Sequence, residues 1–361
     1  MLFVSNYNEI INTDSSNPYY AKVLKLINDW ESGTETFSLM TSGSTGVPKE
    51  FVITREQIKA SIQQTRKKFK LTDQDLLFCC LNVEYVAGML MVLRALEIGC
   101  ELLVSEPVSN PFALLKNQEY LLRINRGKNF FAFVPMQFQT LLGSEKNIEL
   151  LNTAKAIIVG GAGLDEQSIK KAKNLNAPVY MTYGMTETVT HVALQKINGM
   201  NKSKYFKVLD GVEIETDAYN RLRIRSEVTL NQWIQTNDIV KLKSKNEFTL
   251  IGRADNIINS GGVKIQLEKI EEEARKWMPQ PARFFAYGLP DGVLGQKLIL
   301  VIESIDKGLY ENLKKRIPEI FTKFERPKDI FILSKFKDTP TGKIDKIKTV
   351  NEFILHKIPN F

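Results

Sequence analysis

Histidine and cysteine are scarce in this chain, with two and three residues among 361. The cysteines, Cys79, Cys80 and Cys100, form an odd and sparse set. They suit a reducing, cytoplasmic setting in which thiols fill a core. No uncharged apolar run reaches the roughly 18 residues that a membrane-spanning helix needs. The opening MLFVSNYNEI has no basic stretch followed by an apolar one, so no secretory leader is expected. Internal repeats and low-complexity tracts are missing as well. The net charge is +8, but there is no arginine-rich arm and no aromatic-basic RNP pattern. Nucleic acid is therefore not the expected partner.

What is present is an ordinary globular composition, 43% hydrophobic and 25% charged, on a chain long enough for two domains. Helical spacing is expected over Tyr20–Trp30, and from Thr54 through Ile58, Ile62, Thr65 and Phe69. Thr54 and Gln57 fit a capping box. Apolar runs at Leu76–Leu81, Phe130–Val134, Ala156–Val159 and Pro178–Thr182 alternate with helices such as Gly88–Ile98 and Leu164–Lys173. That rhythm predicts an α/β fold with a parallel-rich sheet and ligand loops at the C-terminal strand ends. From Gly211 to Leu250 short alternating strands take over. After Gly252 the pattern is that of a small α+β domain. The expected division is 1–253, a connector at 254–256, and 257–361.

The densest chemistry lies in Thr41-Ser42-Gly43-Ser44-Thr45-Gly46-Val47-Pro48-Lys49. Glycines let backbone amides converge on an anion, hydroxyls add donors, and lysine adds charge. The string is a phosphate cradle in chemical terms. It is not the Gly-Lys-Ser/Thr loop of kinases and GTPases, because Glu50 follows Lys49. The basic excess after residue 306 would suit a polyanionic small molecule or simply be a solvated face.

This loop resembles the phosphate-binding loop of the adenylate-forming superfamily, which holds acyl-CoA synthetases, peptide-synthetase adenylation domains and luciferases. Four further segments resemble the superfamily's motifs in the same order. They are Tyr183-Gly184-Met185-Thr186-Glu187-Thr188, Thr236-Asn237-Asp238, Gly252-Arg253-Ala254-Asp255 with Gly261-Gly262, and Pro340-Thr341-Gly342-Lys343. The resemblance implies an N-terminal adenylating domain and a mobile C-terminal domain turning about Asp255. It implies ATP, Mg2+ and coenzyme A as cosubstrates and cofactor, with a carboxylic acid as the other substrate. It leaves a homo-oligomer open. Tyr183 would stack on adenine beside Gly160, Gly161, Ala162 and Gly184. Thr186 would meet the α-phosphate, and Glu187 would hold magnesium. Asp238 and Arg253 would bind ribose, Gly261 and Gly262 would border the coenzyme A path, and Lys343 would bridge the acid and the α-phosphate. Read singly, Tyr183 could be a core residue, Glu187 a surface acid, Asp238 a turn residue and Asp255 an exposed loop acid. About 40 residues precede the phosphate loop, so the N-terminal subdomain is expected to be cut down. Tyr85 stands where the superfamily usually carries histidine.

Within the superfamily, the compact length, Val189-Thr190-His191 and the segment Gly88–Leu96 resemble the o-succinylbenzoate–CoA ligases of menaquinone biosynthesis. Such an acid keeps one carboxylate that is not activated. Arg94, inside an apolar helix, would bind it as a two-pronged partner. The other reading of Arg94 is a solvent-facing residue paired with Glu97. His191 would line the acyl pocket or serve as a satisfied polar residue under the loop. Loading of a carrier protein instead of coenzyme A, and a non-catalytic nucleotide-binding role, are the other readings of the chain.

If Lys343 meets both anions, Lys343→Ala should lower adenylate formation by several orders of magnitude. Thioester formation from supplied acyl-adenylate should survive much better. Pyrophosphate release and single-turnover acyl transfer measure the two halves, and equal losses in both would remove Lys343 from this role.

Overall fold

The computed structural model describes residues 1–5, 9–12, 14, 16–40, 50–278, 282–306, 308–339 and 344–354. The described residues form two compact units. One takes the chain up to Thr236 together with Val240–Leu250, and the other takes Asn237–Ile239 and the chain from Ile251 onward. The change of unit thus falls at Leu250/Ile251, with Asn237–Ile239 borrowed from the preceding strand.

The larger unit is organised by five parallel strands in the order Val179–Gly184, Ala154–Val159, Asn129–Phe133, Leu76–Cys79, Glu101–Val104. Along strand Leu76–Cys79 and the residue after it, Leu77 and Cys79 join one hydrophobic cluster, while Leu76, Phe78 and Cys80 join the other. Side chains alternate faces in a strand, so an unbroken apolar run marks one covered on both sides. Three helices supply much of one cover: α1 (Pro18–Glu31), α2 (Arg55–Phe69) and α3 (Val86–Ile98). Val23 and Ile27 of α1, Ile58 and Ile62 of α2, and Met89 to Leu93 with Ala95 of α3 lie in that cluster. The capping box on α2 is formed. The Gln57 amide donates to Thr54 Oγ1 at 3.2 Å, and the Thr54 amide donates to Gln57 Oε1 at 3.1 Å.

Among the described residues the sheet grows to 13 strands by antiparallel additions at both edges. Leu2–Val4 pairs with Glu101–Val104 on one side, and His191–Lys196 with Val179–Gly184 on the other. The short strands between residues 206 and 253 continue this same sheet. Their change of pattern therefore marks a change from parallel to antiparallel pairing.

The smaller unit has a five-stranded sheet. Leu267–Arg275 and Leu309–Ile320 are its helices on one face, where Leu267, Ile270 and Leu313 join one cluster. Helix Lys346–Phe353 contributes Val350 to the other. No helix among the described residues is long and apolar enough to cross a membrane.

The start of α3 is held close to the turn before it. A Cβ on Gly88 would lie 2.3 Å from the Asn82 carbonyl oxygen, a backbone atom with little room to yield. Gly88→Ala should cost about 1–3 kcal/mol, read as a lower urea midpoint. An unchanged midpoint would mean that the turn is slack.

Candidate functional site

Strands Ala154–Val159 and Val179–Gly184 run parallel, with Val159 opposite Met181. That register sets Gly160, just past the end of the first strand, against Thr182 of the second. A Cβ on Gly160 would stand 2.3 Å from Thr182 Oγ1, so that hydroxyl would have to turn away. Gly184 must be bare, since its Cβ would meet the Thr190 carbonyl oxygen, a backbone atom, at 2.1 Å. Tyr183 is buried edge-on to Phe248, with ring centroids 5.1 Å apart, and has Phe206 at 5.8 Å.

Thr186, Glu187 and Thr188 form a single 3-10 turn. Thr188 Oγ1 accepts from the Met185 amide at 3.0 Å and closes it. The next residue, Val189, is fully buried at φ +60°. A β-branched residue in that region stores about 1–3 kcal/mol of strain, which the surrounding packing must hold. Glu187 is half-buried, with no hydrogen-bond or ion-pair partner among the described residues. Such a carboxylate fits a cation ligand.

The third cluster lies between α2, α3 and strand His191–Lys196. Arg94 is 2% exposed and His191 4%. The reading of Arg94 as a solvent-facing partner of Glu97 is therefore corrected: Glu97 pairs with Lys59 at 3.9 Å instead. Arg94 Nη2 donates to Thr65 Oγ1 at 3.5 Å, Nη1 lies 3.3 Å from Met91 Sδ, and its guanidinium is 5.8 Å from the centre of the Phe130 ring. Among the described residues its Nε has no partner, nor has the buried Ser61 Oγ. Burial pushes the Arg94 pKa down to about 10, so it remains a cation at neutral pH. His191 bonds to Thr65 through Nε2 and to Thr190 through Nδ1, both at 3.3 Å. Burial, reinforced by Arg94, pushes its pKa down to about 3, so it is neutral. Thr65 was visible in the sequence only as one polar residue on an apolar helical face, and that break in the pattern was the available signal. Tyr85 is half-buried at the N-cap of α3.

In the smaller unit, Arg253 Nη1 donates to Asp238 Oδ1 at 3.2 Å. Its Nε and Nη2 grip Asp255 at 2.9 and 2.7 Å. Burial works against ionisation of Asp255, but this grip holds its pKa below the ordinary carboxylate value. Glu268, which sequence reading passed over, ties the segment down. Its Oε1 accepts from the Arg253 amide at 3.2 Å and from Asn256 Nδ2 at 2.7 Å. Gly261 and Gly262, at φ +61° and +83°, make the turn between strands Ile257–Ser260 and Val263–Gln266. Thr41, Ser42, Gly43, Ser44, Thr45, Gly46, Lys49 and Lys343 lie outside the described residues, as does His356.

The buried His191 makes a pH prediction. Its folded pKa lies below the ordinary 6.5. The unfolded chain therefore takes up the proton first, and stability is lost as pH falls from about 6.5 towards 3. Between pH 7 and pH 5 the wild type should lose roughly 2 kcal/mol that His191→Gln does not lose. Urea unfolding at the two pH values measures it, and equal losses would place the titration elsewhere.

Residues 16–216 match the family model of the AMP-binding enzymes. A 2-succinylbenzoate–CoA ligase of Enterococcus faecalis is 23% identical over 340 residues, covering 87% of this chain and 69% of that protein. One from Lactococcus lactis is 27% identical over 322 residues, covering 84% and 68%. The crystal structure of an acyl-CoA synthetase (AMP-forming)/AMP-acid ligase II-like protein from Dyadobacter fermentans superposes with a TM-score of 0.64 at 37% identity, covering 97% of this chain and 99% of that one. The Bacillus subtilis O-succinylbenzoate coenzyme A synthetase, solved with ATP and magnesium, superposes at 0.70 with 19% identity, over 86% and 69%, and shares the fold. The chain belongs to the AMP-binding enzyme family, as an AMP-forming acid–CoA ligase.

Proposed function

We propose that this ligase activates 2-succinylbenzoate, first as its adenylate and then as the coenzyme A thioester. The observation that carries the reading is Arg94. It is a guanidinium at 2% exposure with no carboxylate paired to it among the described residues. An unpaired buried cation is costly, and an anionic group of the substrate would offset that cost. 2-Succinylbenzoate has two carboxylates, so one can react while the other stays ionised. The names of the Enterococcus and Lactococcus relatives support the same acid.

In the first half-reaction a carboxylate oxygen attacks the α-phosphorus of ATP and pyrophosphate leaves. Two anions approach each other, so the Lys343 ammonium would lower the barrier by standing between them. The amides and hydroxyls of Thr41, Ser42, Gly43, Ser44, Thr45 and Gly46, with Lys49, would hold the β- and γ-phosphates. Thr186 would donate to the α-phosphate. Glu187 would hold a magnesium ion, which offsets phosphate charge when bound. No group of three or more potential metal ligands lies together among the described residues. One carboxylate plus substrate phosphates is a common way to bind this ion. Tyr183, Gly160, Gly161, Ala162 and Gly184 would receive adenine, and Asp238, steadied by Arg253, would accept from the ribose hydroxyls. In the second half-reaction the thiol of coenzyme A attacks the acyl carbonyl and AMP leaves with the bonding pair. Asp255 would serve as the hinge between the two steps, with Gly261 and Gly262 beside the thiol path. Tyr85 and His191 would border the acid.

The test compares kcat/KM for 2-succinylbenzoate, benzoate and a medium-chain fatty acid in the wild type and Arg94→Ala. The wild type should prefer the dicarboxylate. Arg94→Ala should lose about 2–5 kcal/mol of its binding while the KM for ATP stays in place. A wild-type preference for the fatty acid would remove the substrate. Preference for the dicarboxylate with no selective effect of Arg94→Ala would remove the residue.

A further inference from the structure

One buried hydroxyl joins Arg94 to His191. Thr65 lies on the face of α2 that carries Ile58, Ile62 and Phe69 into the core, and it is fully buried. A threonine inside a helix can donate to the carbonyl one turn back. Thr65 does so, with Oγ1 donating to the Ser61 carbonyl oxygen at 3.1 Å. A hydroxyl has one proton and two acceptor positions. With its proton on Ser61, the Thr65 oxygen can only accept, and its two remaining neighbours are Arg94 Nη2 at 3.5 Å and His191 Nε2 at 3.3 Å. Guanidinium is always a donor. His191 must therefore present Nε2–H, and because its ring is neutral, Nδ1 must accept, from Thr190 Oγ1 at 3.3 Å. This assignment uses every donor and acceptor of the Thr65 hydroxyl. The opposite tautomer leaves one of its acceptor positions empty.

We propose that Thr65 is a positioning residue for acid activation: its hydroxyl fixes His191 as the Nε2–H tautomer and orients the Arg94 guanidinium, and so sets the preference for a dicarboxylic acid. The last clause rests on the proposed substrate. With Nη2 committed to Thr65 and Nη1 against Met91 Sδ, Nε is the nitrogen of Arg94 left without a partner among the described residues. A carboxylate oxygen needs such a donor, and one held in place beforehand loses less freedom on binding than a swinging one. Valine matches threonine in shape but lacks the hydroxyl. Thr65→Val would strip Arg94 of its oxygen partner and leave Nε2–H of His191 buried and unsatisfied.

The full-length protein, with histidines labelled with 15N, gives the test. Only two histidines contribute, and His356→Asn assigns them. The wild type should show His191 with a protonated Nε2 and a bare Nδ1, whereas Thr65→Val should show mixed tautomers. In Thr65→Val the KM for 2-succinylbenzoate should rise about tenfold or more, the loss expected for a hydrogen bond to a charged group. Its kcat and KM for ATP should stay within about twofold. Thr65→Ser, which restores the hydroxyl, should bring both the tautomer and the acid KM back. A wild-type His191 carrying its proton on Nδ1 would overturn the proposal without need of any variant that might misfold. Equal rises in the KM for acid and ATP, or no recovery in Thr65→Ser, would also overturn it. If the wild type does not turn over 2-succinylbenzoate, the substrate reading and the selectivity clause fall together, and the tautomer result still decides the link between Thr65 and His191.

Discussion

Strand Leu76–Cys79 has to be covered on both faces, and much of the larger unit follows from that requirement. Its residues alternate between the two hydrophobic clusters. Parallel neighbours joined by crossover helices on the two faces supply that cover. Glu101–Val104 lies on one side of the strand and Asn129–Phe133 on the other. The chain order therefore reverses at this strand, and such a reversal opens a crevice at the C-terminal strand ends. The loops that carry Tyr85 and Gly160 leave from C-terminal ends of this set, and Tyr183 lies near the C-terminal end of its own strand. The scaffold spends its apolar residues on the layers and delivers its polar ones to one rim.

Arg94 is the exception. It sits within the apolar layer, on a helix that buries nine of its 13 residues. Membership of the family accounts for the adenylating motifs. It does not by itself account for a guanidinium, a neutral imidazole and a threonine hydroxyl bonded together under α3. Hydrophobic packing alone would favour leucine or methionine there, since burying a charge costs free energy that packing does not return. A polar cluster kept at that cost fits a substrate that brings its own negative charge. The strained Val189 between the Thr-Glu-Thr turn and His191 belongs to the same arrangement, because the turn must reverse abruptly for the next strand to place His191 beside Thr65.

The smaller unit shows the opposite economy. Its apolar residues fill two clusters about a five-stranded sheet. Its notable polar contacts gather at the point where it joins the chain. Arg253 serves Asp238 and Asp255 at once, and Glu268 holds the Arg253 amide. Asn237–Ile239 and the chain from Ile251 onward belong to this unit.

Much of this was legible in the residues themselves. The capping box at Thr54, the apolar runs of the parallel strands and the ordered motifs are local patterns, and local sterics and hydrogen bonding are enough to read them. Strand Leu2–Val4 was not legible, because it is three residues long and its partner Glu101–Val104 lies far along the chain. Arg94 was undecided for a physical reason. A helix that is apolar all round has no polar face to tell which way one charge points, so either solvent or core was open. Thr65 and His191 are 126 residues apart. The sequence by itself determined the chemistry available and the family to which it belongs. Only the tertiary structure decided that Arg94 is buried, that His191 is neutral and that one hydroxyl joins them, because burial and hydrogen-bond partners come into being when distant segments pack.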